Sequence, residues 1–260
     1  MKTIAIFIVF SALWASAAFG AHPLITDDTG TQGKGKYQAE MNSQFDTEKE
    51  TSDGVGFKET AGEAAAVVSA GVSESADIVL GVPFAWSRAE EDGVVSEESG
   101  LSDISLELKW RFYEKDGLSL ALKPAIVLPT GDEAKGLGNG SVSYGVTFIT
   151  TKSSGPWEFH FNLGYAHNEY ELAKDEAANR KGIWHISFAP VLDVAEGLKA
   201  VANIGMESNP DNASDTHPAF ILGGLIYSVS DDLDIDVGIK AGLNKPETDT
   251  TILAGMAFRF

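Results

Sequence analysis

The sequence predicts an all-β protein, a twelve-stranded antiparallel up-and-down transmembrane β-barrel. Three observations carry this: apolar and polar residues alternate along nearly the whole chain, the connections between alternating segments are by turns short and long, and the first 20 residues read as an export signal.

The export signal comes first. Met1-Lys2-Thr3 is a short basic start, Ile4 to Trp14 is almost wholly apolar, and Ala15-Ser16-Ala17-Ala18-Phe19-Gly20-Ala21 supplies small residues for a signal peptidase. A membrane anchor helix needs roughly 20 apolar residues, and this run stops short in the small-residue patch. Cleavage after Gly20 fits best, with Ala17 and Ala18 as the other options. Loss of Lys2 would take the formal charge from -19 to -20. The expected layout is a signal peptide at 1–20, a periplasmic N-terminal segment at 21–35 and a barrel at 36–260.

After residue 21 the alternation takes over. In Tyr37-Gln38-Ala39-Glu40-Met41-Asn42-Ser43-Gln44-Phe45 the odd positions are mostly apolar and the even ones polar, as a strand with one wet and one dry face requires. Ile104, Leu106, Leu108, Trp110 and Phe112 likewise share one face, with Asp103, Ser105, Glu107, Lys109 and Arg111 on the other. A helix at 100° per residue would mix the two sets. The pattern gives segments at 36–46, 61–73, 76–86, 101–113, 118–128, 141–151, 157–167, 182–193, 198–207, 219–229, 232–243 and 250–260. Within 219–229 both faces are apolar, so its facing stays open.

Glu74-Ser75, Glu114 to Gly117, Lys152 to Pro156, Val194 to Gly197 and Ser230-Asp231 are short turns. Between them lie long loops at 47–60, 87–100, 129–140, 168–181 and 208–218, with 244–249 the one short exception. An even strand number with short turns at one end and long loops at the other is the pattern of outer-membrane barrels. Hydrocarbon cannot satisfy backbone N–H and C=O groups, so crossing strands must close on themselves.

Aromatic residues fall where membrane interfaces belong. Tyr37, Trp110, Phe112, Trp157, Phe258 and Phe260 map to one rim; Phe45, Trp86, Tyr144, Tyr165 and Trp184 map to the other. A soluble β-sandwich also alternates, but has no reason for two aromatic belts or for regular alternation of loop length.

Composition excludes much else. Without cysteine there is no disulfide scaffold, thiol enzyme or cysteine-ligated metal. With 38 acidic against 19 basic side chains the chain repels a phosphate backbone, and no nucleic-acid partner is expected.

Three stretches carry a family resemblance: His22-Pro23-Leu24-Ile25-Thr26-Asp27-Asp28-Thr29-Gly30-Thr31-Gln32-Gly33-Lys34-Gly35; Leu128-Pro129-Thr130-Gly131-Asp132 followed by Lys135 to Gly140; and Gly242 to Asp249. The chain from 22 to 260 resembles the MetA-pathway phenol-degradation family of outer-membrane proteins. The resemblance implies an outer-membrane barrel involved in passage of aromatic or other small compounds, and brings no catalytic residues.

With wet faces inward, the transport candidates in the lumen are Glu40, Asp103, Glu107, Lys109, Arg111, Lys123, Glu158, His160, His185, Lys199, Asp234, Asp236 and Lys240. About eight strands make a barrel filled by its own side chains and 16 to 18 leave an aqueous channel, so twelve predicts a narrow, partly obstructed pore. Charges in such a pore either select solutes by sign or brace the wall by pairing. Segment 22–35 is either a plug across the periplasmic mouth or a disordered leader. His160 and His185 share the lumen face of neighbouring strands as either a metal pair or hydrogen-bonded lumen histidines; two ligands do not make a site, and no metal is expected. The loop acids Glu90-Glu91-Asp92 and Glu97-Glu98 are cation sites or a solvated face.

No nucleophile elbow, zinc-protease motif or phosphate loop occurs, so neither an enzyme nor a cofactor is expected. The sequence thus predicts a passive channel in the outer membrane of a Gram-negative cell, with both termini periplasmic. Expected partners are membrane lipid and lipopolysaccharide, the barrel-assembly machinery reading the strand that ends at Phe260, and a small-molecule solute. The other reading is a closed structural barrel that binds a partner through acidic outer loops.

Overall fold

A computed structural model describes residues 22–52, 55–91 and 93–260. The expected signal peptide lies outside the described residues. Thirteen strands follow one another: β1 (Tyr37–Ser52), β2 (Val55–Ser73), β3 (Ala76–Glu91), β4 (Val94–Leu101), β5 (Ile104–Lys115), β6 (Leu118–Leu128), β7 (Ser143–Ser154), β8 (Trp157–His167), β9 (Gly182–Ala195), β10 (Leu198–Glu207), β11 (Ala219–Ser228), β12 (Leu233–Gly242) and β13 (Thr250–Arg259). Each pairs antiparallel with its neighbour in sequence, except that β5 pairs with β3 and not with β4, and β1 pairs with β13.

Strands β4 and β5 are one barrel strand interrupted at Ser102-Asp103. Both pair with β3, β4 along Phe84–Glu91 and β5 along Ala76–Gly81. Pro83 lies at the break; it has no N–H to give, while its carbonyl accepts from Ser102. The closed barrel therefore has twelve strands.

Two expected long loops are instead strand. Positions 47–52 and 55–60 continue β1 and β2, whose ladder runs to Ser52↔Val55, and 87–91 and 94–100 continue β3 and β4, paired to Glu91↔Val94. β1 runs on past its last partner on β13, Thr47↔Thr250, and the polar, charge-rich sequence of these extensions hides the strand period from a reading by hydropathy. The remaining long connections hold a 3-10 turn at Glu133–Lys135 and a short helix α1 at Ala173–Ala178. At the terminal end, where β1 begins and β13 finishes, the turns are tight. Asp116 and Gly117 both take positive φ (53° and 72°), the hairpin geometry that Asp-Gly favours.

Outward positions form an apolar wall. Leu106, Leu108, Ile221, Val237 and Ile239 are exposed, and in a barrel of outer-membrane fold such an apolar face suits contact with lipid. The terminal rim shows Tyr37, Trp110, Phe112, Trp157, Phe258 and Phe260; the opposite rim shows Phe45, Tyr144 and Tyr165. Trp86 is half-buried, lying over Gly62, and Trp184 is half-buried against the edge of His217. Among the described residues no helix is long and apolar enough to cross a membrane; the crossing is made by strands.

The register of β11 settles its facing. Phe220 and Leu222 point inward and are buried, while Ile221, Leu225 and Tyr227 point out. With Ala189, Val191, Val201 and Leu253 they make an apolar patch inside the barrel, closed by Leu24.

Candidate functional site

The lumen is occupied by the N-terminal segment, which enters from the terminal end and lies against the wall at residues 22–35. Sequence reasoning left plug and disordered leader open; the structure shows an inserted segment.

Each part of the segment has a wall partner. His22 Nδ1 meets Asp236 Oδ1 at 2.5 Å. Pro23 rests on Gly224 and Gly238, where an added Cβ would come within 2.8 and 2.9 Å of its ring. Leu24 fills the apolar patch. Asn203 Oδ1 accepts from Ile25 N and Thr26 N at 2.8 and 3.0 Å, and its Nδ2 donates to Thr26 Oγ1 at 2.7 Å. Further along, Thr151 Oγ1 accepts from Thr29 N at 3.1 Å, Thr29 Oγ1 bonds Ser119 Oγ, and Asp77 accepts from Gln32 N at 2.9 Å. Gly33 crosses Gly71 too closely for any side chain at that wall position.

Asp27 is the electrostatic anchor. Lys109 Nζ lies 2.7 Å from Oδ1, Lys123 Nζ lies 2.9 Å from Oδ2, and Lys123 also reaches Glu107 at 3.1 Å. All four side chains are buried, so a charge left without its partner would be costly here. Burial raises the Asp27 carboxyl, but the two ammonium groups outweigh it and hold it at about 2. The Asn162 amide, oriented to match donors with acceptors, donates to Asp27 O at 2.9 Å and accepts from Asp27 N at 2.7 Å.

The ladder is interrupted near both anchors. Between β9 and β10 it passes from Val201↔Val191 to Ile204↔Phe188 around Pro190, and between β5 and β6 from Glu107↔Ala125 to Trp110↔Leu122 around Pro124. Asn203 Nδ2 donates to Phe188 O at 3.0 Å, so one side chain steadies both the wall beside Pro190 and the inserted segment.

The other predicted lumen residues take varied places. Glu40 is buried and accepts from Gln38 and Asn42 at 2.7 and 3.1 Å. Lys240 pairs with Glu247 of the β12–β13 loop at 2.7 Å and lies over the Phe220 ring. Asp234 is bound by Arg259 at the terminal rim. Glu158 and Lys199 stand 3.7 Å apart there, half-exposed. Arg111 turns to Glu114 at 3.2 Å and to Glu74 O, also at that rim. His185 lies 3.7 Å from Glu207 toward the opposite end.

One expectation needs correction. Asp103 is not a lumen charge: at the break before β5 it accepts from the backbone N–H groups of Thr130 (3.1 Å), Gly131 (2.9 Å) and Asn139 (2.9 Å), pinning the 129–140 loop to the wall. Gly131 and Gly138 allow that approach, since a Cβ at Gly138 would meet Asp103 Oδ1 at 2.2 Å. Of the two alternatives for His160 and His185, their positions do not favour a metal pair. His160 is opposite Ala189 and His185 opposite Gly164, four residues apart along the strands, and His160 bonds Thr151 at 2.9 Å. Among the described residues no cluster of three His, Asp or Glu could hold a metal ion. Of the loop acids, Glu97 pairs with Arg88.

Asp27, Asp77, Ser119, Thr151 and Glu247 were missed as site residues. A usable signal lay in the glycines at inward parity on β11 to β13, Gly224, Gly238 and Gly255, which mark a place where the wall must admit another chain segment. Beside the inserted segment, toward the termini, a cavity of about 550 Å³ remains, lined by Asp28, Gln32, Lys36, Asp77, Asp232 and Arg259 among others.

The family model described as "Putative MetA-pathway of phenol degradation" matches residues 23–260. The chain belongs to that family. No protein of curated function matches the sequence. Solved structures with the same fold include the COG4313 outer membrane channel from Pseudomonas putida F1, at 12% identity and TM-score 0.68, covering 90% of this chain and 98% of that one. The NanC porin aligns at 10% identity and TM-score 0.57, covering 84% and 98%. The translocator domain of autotransporter NalP from Neisseria meningitidis aligns at 13% identity and TM-score 0.53, covering 89% and 91%. A channel, a porin and a translocator share this barrel, so the similarity fixes the fold and leaves function to the lumen.

Proposed function

We propose that this protein is a passive outer-membrane channel for small molecules, aromatic or hydrophobic compounds among them, and that residues 22–35 form a constriction within it. The observation that carries this reading is how the lumen is filled. A barrel serving only as a wall or an anchor can pack its interior with its own side chains. Here the inward wall keeps glycines at Gly224, Gly238 and Gly255, and the space is taken by a separate segment held through side-chain contacts, with a charged cavity beside it. Such contacts can be exchanged without unfolding a strand. The family description, which names phenol degradation, supports a small aromatic solute.

In this reading the apolar wall faces outer-membrane lipid and lipopolysaccharide, both termini are periplasmic, and the last strand, ending at Phe260, is what the assembly machinery reads. The reading assigns no catalysis, cofactor or nucleic-acid partner. Single-channel recording of the refolded chain from residue 21 in a planar bilayer tests it. Discrete, reproducible conductance steps are expected. An inserted, folded barrel that never conducts, even without residues 22–33, overturns the channel.

A further inference from the structure

The segment 24–27 joins two chemically different wall sites. Leu24 sits in the patch of Val191, Val201, Phe220, Leu222 and Leu253, and three residues on Asp27 places a carboxylate between Lys109 and Lys123. Neither site is an ordinary lining for a water-filled pore. A contiguous apolar patch in an aqueous lumen loses free energy for every Å² left wet, about 25 cal/mol. Two buried ammonium groups require an anion. The wall supplies only one carboxylate in direct contact, Glu107 on Lys123, so the wall alone leaves Lys109 without a direct ion-pair partner among the described residues. The anion that completes the site comes from the inserted segment.

We propose that Leu24 to Asp27 is a tethered stand-in for solute, and that the wall site it covers binds a small amphipathic carboxylate: an apolar body against Phe220 and Leu222, a carboxylate on Lys109 and Lys123. The two sites are spanned by three residues, at most about 10 Å of chain, which matches an arylalkanoate or a medium-chain alkanoate. Solute and segment then compete for one site. Binding favours withdrawal of the segment, and the segment reseats when the solute leaves. A neutral aromatic would gain the apolar wall but leave the lysines unpaired, while a short carboxylate would gain only the lysines. This inference rests on the channel reading and names its solute class.

The test is isothermal titration calorimetry on refolded barrel in detergent, which reads binding whether or not the barrel conducts, so failure here is distinct from failure of the channel. Probes are phenylbutyrate, butyrate and phenylbutyramide. Deletion of residues 22–33 should tighten phenylbutyrate binding by at least about tenfold over the intact chain, and hold it about tenfold tighter than either control. In the deletion background, Lys109→Gln and Leu222→Asn should each abolish that preference; Lys109→Gln leaves the Lys123–Glu107 pair intact. If the deleted chain does not refold, the full-length Leu24→Ser/Asp27→Asn double variant takes its place, with the same ranking expected. Equal weak binding of all three probes, or affinity indifferent to both wall substitutions, overturns the proposal.

Discussion

Asp27→Asn tests the anchoring of the inserted segment most sharply. The substitution keeps the shape of the side chain and its backbone contacts with Asn162, but removes the charge lying 2.7 Å from Lys109 and 2.9 Å from Lys123. Removing one partner of a buried ion pair costs about 3–5 kcal/mol, because the other charge is left uncompensated. Lys123 keeps Glu107 at 3.1 Å, whereas Lys109 is left with Asp28 at 4.0 Å, so the lower end applies. At about 1.4 kcal/mol per decade, a loss of about 3 kcal/mol raises the ratio of withdrawn to seated segments roughly 100-fold. Single-channel recording of the variant should show this as longer or more frequent visits to a larger conductance level, with strand content by circular dichroism unchanged. A variant whose level occupancies match those of the parent would refute the assignment of Asp27 as anchor.

Acid should act at the same point. The Asp27 carboxyl is held at about 2, below its ordinary 3.8, so the anchor is fully present above the ordinary value and is lost as pH falls through the lower one. Visits to the larger conductance level should become more frequent below about pH 4, and the Asp27→Asn variant, already without the charge, should lack that component. Gly238→Val tests the seating of Pro23 without touching a polar contact: even a Cβ there falls 2.9 Å from the proline ring, so cysteine-labelling rates at position 24 should rise in the valine variant carrying Leu24→Cys. Asp103→Ala removes the acceptor of three backbone N–H groups, each worth about 1 kcal/mol or more to a charged partner, and should make the 129–140 loop the first site of limited proteolysis. An unchanged cleavage pattern would show that the loop is held by other contacts, such as Ser102 Oγ to Leu137 O.

Much of the barrel is legible because lipid imposes a period on the chain. Wherever a strand faces hydrocarbon on one side and the lumen on the other, as in Ile104 to Phe112, alternation follows and the register with it. Where that asymmetry ends, so does the signal. Residues 47–52 and 55–60 are strand, but their charged and polar sequence carries no apolar alternation, and they therefore read as loop. Asp103 has the parity of Glu107 and Lys109, yet the break at Pro83 and Ser102 separates it from their strand; parity predicts a side only along an unbroken ladder.

The inserted segment failed to show itself for a different reason. The backbone N–H groups of Ile25, Thr26 and Gln32 are satisfied by wall side chains far away in sequence, Asn203 and Asp77, and local composition cannot distinguish that from disorder. Its partners were visible separately: two lumen lysines, inward glycines, and a segment whose two faces are both apolar because one meets lipid and the other meets Leu24. Only the closed barrel brings them together.

The claim on which the account turns is that residues 22–35 obstruct a pore that the wall leaves open. Single-channel conductance of the intact chain against the same chain lacking residues 22–33, in the same bilayer and salt, measures it directly. A severalfold larger and less frequently interrupted conductance in the shortened, correctly folded barrel is the predicted result. Identical conductance in the two would contradict it, and would mean that solute passes elsewhere or that the wall closes the lumen unaided.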